Sequence, residues 1–163
     1  MFCYRCNAQV EDGNKCPRCG ENLSILVKAH KLSKAYYDEA LKMAKVRNLS
    51  GAVAGLRKSL KFDKYNKDAR NLLGLVLYEM GETVEALGEW VISTSYHAKD
   101  NIASRYLDEI HTNRGQLDSI NQTIKKYNQA LLYCKNGSRD LAIIQLKKVL
   151  SLNPRLIQGH QLL

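Results

Sequence analysis

Apolar residues recur three and four positions apart through most of this chain, from Ile25-Leu26-Val27 to Leu162-Leu163. That spacing puts one apolar stripe on an α-helix. Only Pro17 and Pro154 would interrupt helices, and the long stretch between them contains no proline. The pattern predicts an all-α fold of long helices and excludes a turn-rich all-β one. The first helix is expected over 25–46, capped by Ser24 and following directly on Glu21, Asn22 and Leu23 without a flexible linker.

The apolar pattern also repeats. Ala40, Leu41, Met43, Ala52 and Leu56 recur 34 residues later as Gly74, Leu75, Leu77, Ala86 and Trp90. A step of 56 then recovers them as Ala130, Leu131, Tyr133, Ala142 and Leu146, and Gly81 as Gly137. Small residues at fixed places in paired helices let two antiparallel helices approach closely. The third unit is the clearest, Tyr127-Asn-Gln-Ala-Leu-Leu-Tyr-Cys-Lys-Asn-Gly followed by Asp140-Leu-Ala-Ile-Ile-Gln-Leu. This pattern resembles the tetratricopeptide repeat (TPR) family, whose 34-residue units are helical hairpins stacked into a solenoid. Units are expected at about 33–66, 67–100 and 123–156 within a helical domain over 23–163. The first unit departs from the family in having Arg47 where the others have the turn glycine, and 101–122 match no unit. An inserted helix is expected at about 101–115, breaking near Asn113-Arg114-Gly115, with the next helix starting near Leu117. Residues 157–163 read as the opening of a further unit, which would leave an exposed apolar end open to self-association.

The head of the chain, 1–22, changes the picture. Cys3, Cys6, Cys16 and Cys19 form two Cys-x-x-Cys knuckles separated by nine residues. Two such bites supply the four tetrahedral ligands of one structural Zn²⁺. Pro17 suits a tight knuckle turn, Gly20 a positive φ after it, and Asp12-Gly13 the tip of a short hairpin. So short a segment cannot bury a stabilising core, so the ion must supply the folding free energy, roughly 10–16 kcal/mol in comparable peptides. Redox pairs or a disulfide knot are the alternatives, and the strand–helix setting of a thioredoxin-type motif is absent. The head resembles the zinc-ribbon modules at the N-termini of many bacterial and archaeal proteins. Arg5, Lys15 and Arg18 are offset by Glu11, Asp12 and Glu21, and four thiolates on Zn²⁺ add negative charge, which argues against phosphate binding by the head. Phe2, Tyr4, Arg5, Pro17 and Arg18 form its expected contact tip.

The TPR resemblance implies a concave groove lined by the first helix of each pair. Its residues would be Lys34, Tyr37, Leu41 and Lys45, then Asn71, Leu75 and Tyr78, then Tyr127, Leu131 and Lys135. Such a groove suits an apolar, acid-flanked peptide or protein partner. Packing of several of these against neighbouring helices or the inserted helix is the competing reading. The clamp for acidic chaperone tails needs asparagine where Leu41, Leu75 and Leu131 stand, so that specificity is not expected.

The net charge of +9 is banded. Residues 28–70 carry twelve Lys/Arg against four acids, 71–98 only Glu79, Glu82, Glu85 and Glu89, and 119–163 seven bases against one acid. The basic bands, with Arg57, Lys58, Lys61 and Lys64 on one helix, make nucleic acid the alternative partner. Trp90 is expected in the core and Cys134 as a small buried hydrophobe. His30, His97, His111 and His160 share no ligand spacing and are expected at or near the surface. No catalytic motif is evident, so a non-enzymatic adaptor is expected. No signal peptide or membrane-spanning run is visible, which points to the cytoplasm.

Overall fold

The computed structural model of the chain describes residues 1–11 and 13–163. Asp12, half of the expected hairpin tip, lies outside them. Among the described residues there are eight helices and no strand: α1 (Ser24–Lys45), α2 (Leu49–Phe62), α3 (Lys67–Glu79), α4 (Thr83–Tyr96), α5 (Ile102–Thr112), α6 (Arg114–Lys135), α7 (Arg139–Leu152) and α8 (Ile157–Leu162).

Helices α1 and α2, α3 and α4, and α6 and α7 pack as antiparallel hairpins. The small residues of the repeat sit at the crossings. Ala40, Ala52, Ala69, Ala86 and Ala130 are wholly buried, and a Cβ on Gly55 would lie 3.0 Å from that of Ala40. Leu56, Trp90 and Leu146 fill the same place in their respective hairpins, each at most 2% exposed. Trp90 needs Gly74 opposite it, because a Cβ there would meet the indole Cδ1 at 2.6 Å. The hairpin turns coincide too: Arg47, Gly81 and Gly137 have φ of +62°, +82° and +74°. Arg47 thus adopts the left-handed conformation that glycine takes in the other two units.

Four expectations are corrected. Ser24 is the first residue of α1, not its cap. Its backbone N–H donates to Asn22 Oδ1, 3.0 Å away. Cys134 is exposed on α6, because the neighbouring Ala130 and Tyr133 turn toward α7 and leave it outside. The inserted helix ends at Thr112, and α6 starts at Arg114 after a one-residue break, with Gly115 inside it. Asn113 suffices as the break because it closes α5 and caps α6, accepting from the Gln116 N–H.

The fourth concerns α5, which repeats an earlier junction. Asn66 caps α3 by accepting from Ala69 N–H and donates to Ser33 Oγ, which contacts Ser59 Oγ. Asn101 caps α5 by accepting from Ala103 N–H and donates to Ser93 Oγ, which in turn donates to Asn71. Ser59 and Ser93 are 34 residues apart. So α5 enters as a unit's first helix would, although its apolar pattern matches none. Its buried Ala103 and Ile110 pack with Trp90.

Candidate metal centre and partner groove

The two knuckles are built alike, 13 residues apart. Asn7 N–H donates to Cys3 O as Gly20 N–H does to Cys16 O; Cys3 N–H donates to Ala8 O as Cys16 N–H does to Glu21 O. Val10 N–H reaches Met1 O as Leu23 N–H reaches Asn14 O. Each knuckle closes on a left-handed residue, Asn7 at φ +54° and Gly20 at φ +73°. Asparagine is among the few side chains that tolerate that region. Isolated antiparallel bridges join Phe2 to Gln9 and Lys15 to Asn22.

This pairing turns four sulfurs to one point, all within 4.8 Å of one another. Cys3 and Cys19 Sγ are 3.7 Å apart, and Cys6 and Cys16 Sγ 3.6 Å. Four thiolates about 2.3 Å from one tetrahedral ion would be separated by about 3.8 Å, so the set fits a single metal ion. The thiols are free, not paired as disulfides. Their electrostatics demand a cation. Backbone N–H groups of Cys19 and Arg18 bring Cys16 down to about 6. The Glu21 N–H favours the Cys19 thiolate as well, but burial and the neighbouring Cys6, Cys16 and Cys3 prevail and push it up to about 12. Four such groups ionise together only around a positive charge.

The head is seated on the helices. Cys3, Cys16, Val10 and Leu23 form its small core, with Leu26 of α1 packed against it. Phe2 meets the Tyr65 ring edge-on at 5.1 Å, and Tyr65 meets Tyr96 in the same way at 4.9 Å. Arg70 lies over Tyr96 and pairs with Glu89 at 2.5 Å. Of the expected tip, Phe2 is therefore covered by the chain itself. Tyr4 and Arg5 both reach back to Glu21, at 2.9 and 3.0 Å, while Pro17 and Arg18 are exposed. The Phe2–Tyr65–Tyr96 column carries no sequence spacing that would reveal it.

The groove residues fall into separate places. Tyr37, Asn71 and Leu75 meet Ile102 and Tyr106 of α5 around a cavity of about 190 Å³. Asn71 is buried and spends its amide on Asn101 and Ser93. Tyr78 and Tyr127 line a second, larger cavity of about 650 Å³ between the α3–α4 turn, α6 and the α7–α8 turn. Leu41 is half-buried; Lys34, Lys45, Leu131 and Lys135 are exposed and line neither cavity. The inserted α5 thus brings its own side chains against the first two units, a role that its unmatched sequence did not disclose.

His30 and His97 are half-buried, on Asp63 Oδ2 at 2.6 Å and Tyr65 O at 2.9 Å; His111 and His160 are exposed. Among the described residues, no helix is long and apolar enough to cross a membrane. No protein-family model matches the chain, and no curated protein matches it.

Proposed function

We propose that this chain is a TPR-type adaptor, cytoplasmic and non-enzymatic, whose N-terminal zinc-ribbon head holds one structural Zn²⁺ on Cys3, Cys6, Cys16 and Cys19. The observation that carries the reading is the division of labour within the repeat. Ala40, Gly74 and Ala130 are buried at the hairpin crossings, while the next residue in each unit, Leu41, Leu75 or Leu131, is left half-buried or exposed. A large side chain kept from the core at the same place in every unit suits contact with another molecule. Zinc suits four thiolates, and with all four tetrahedral positions filled it leaves none for a substrate or reactive water.

The nucleic-acid reading has less support. Arg5, Arg47, Arg57 and Arg70 each pair with a carboxylate of this chain, at 3.0, 3.3, 2.9 and 2.5 Å, which thins the charge left for phosphates. Affinity capture from the native cell, with the intact protein as bait, tests the adaptor reading. A retained protein that is lost on Leu75→Asp supports it. Retention of nucleic acid alone, with affinity falling steeply as salt is raised, would replace it.

A further inference from the structure

Resting on that adaptor reading, we propose that the 650 Å³ cleft between the α3–α4 turn and α6 is a docking site for a peptide segment carrying a Lys or Arg side chain flanked by apolar ones. The cleft has the volume of a ligand pocket and an apolar floor that includes Ile120, Ile124, Tyr127 and Leu156. Its one carboxylate without a cation is Glu82, at the start of α4.

The surrounding charges are already matched. Glu85 is held by Arg57 at 2.9 Å. Arg155, which also borders the cleft, is drawn outward toward Glu79 at 3.8 Å, and Glu79 is shared with Arg47 at 3.3 Å. Glu82 accepts only the Gln158 backbone N–H, at 3.4 Å, and among the described residues no cation lies within 4 Å of it. Partial burial lifts its carboxyl above the ordinary range and the nearby Glu85 adds to that rise, so the folded chain leaves this charge poorly compensated. Residues 71–98 supply no Lys or Arg to relieve it. An occupant that brings a cation to Glu82 and apolar groups to the floor satisfies both deficits. An acidic or acid-flanked segment would add to the repulsion. This reverses the charge expected of the partner from the lysines at 34, 45 and 135, none of which borders the cleft.

The test uses the isotope-labelled full chain with zinc bound. It is titrated with blocked hexapeptides having Lys or Arg between Leu and Phe, and with matched peptides having Glu at the central position. The basic set is expected to shift amides at 81–85, 120–127 and 156–158. Glu82→Gln, which keeps an acceptor for the Gln158 N–H, should weaken binding about tenfold or more, as loss of a desolvated charge pair does. Ile124→Ala should weaken it without altering charge. Equal binding of the Glu peptides, or unchanged affinity in Glu82→Gln, would overturn the proposal. Shifts confined to Tyr37, Leu75 and Ile102 would overturn this site and leave the adaptor reading standing. The capture experiment tests that reading separately.

Discussion

Asn71 on α3 donates its amide N–H to Oδ1 of Asn101 at the start of α5, across 2.9 Å and out of solvent. Ser93 closes the ring, donating to Asn71 Oδ1 at 2.6 Å and accepting from Asn101 Nδ2 at 3.0 Å. Every polar atom of the two amides is therefore engaged by helices that must stay in register. Replacing Asn101 by alanine removes the α5 cap, costing about 1 kcal/mol, and leaves a buried Asn71 donor unpaired, costing about 1–3 more. A loss of about 2–4 kcal/mol is expected in denaturant unfolding. A loss below about 0.5 kcal/mol, the usual size of a surface substitution, would show that the ring does not tie α5 to the second hairpin.

Metal removal should act on the head first. Chelation is expected to raise hydrogen exchange at the amides of 3–23, while far-UV dichroism from the helices changes little. Cys16→Ser should fail to retain zinc through dialysis. Unchanged exchange without metal would mean that the small core of Val10, Leu23 and Leu26 suffices alone.

The seat of the head is tested at Phe2. Phe2→Ala loses an edge-on aromatic contact worth about 0.5–1.5 kcal/mol beyond its buried area. Metal content should remain at one ion, because Phe2 is not a ligand, while exchange at Tyr65 and Tyr96 rises. Loss of metal in this variant would contradict the separation of ligand set and seat.

Arg47 is strained where Gly81 and Gly137 are not. Arg47→Gly relieves about 1–2 kcal/mol of left-handed strain and forfeits an exposed pair with Glu79 worth about 0.2–1. The strain is the larger quantity. The variant should gain about 0.5–1 kcal/mol in thermal or denaturant unfolding, and a loss would show that the ion pair dominates.

Two helical glycines should respond oppositely to alanine. At Gly74 the added Cβ strikes the Trp90 ring, and a loss of about 1–3 kcal/mol is expected. At Gly88, exposed with nothing within 4 Å, the same change should stabilise by about 0.5–1 kcal/mol. Parallel melts of the two variants check both signs.

The helices and the cysteine set were legible because each rests on local periodicity. A buried crossing recurs when the residue facing it must be small, so Ala40, Gly74 and Ala130 stand out in the chain itself. Two Cys-x-x-Cys bites likewise announce a shared point before any folding is known. Cys134 was misread because its apolar neighbours say only that a helix passes there, not which way the side chain turns. The cap of α1 was misplaced by two residues because Asn22 and Ser24 are both good acceptors, and only the backbone path selects between them.

The sequence by itself determined the all-α class, the three hairpins with their small-residue crossings, and the convergence of four thiols. All of these follow from spacings shorter than one repeat. Only the tertiary structure decided that α5 joins the first two units around Tyr37 and Leu75, that Phe2 is seated on Tyr65, and that Glu82 faces a cleft without a cation. Those relations join residues from about 30 to more than 70 positions apart. Such contacts depend on how whole hairpins stack, and no local period records that.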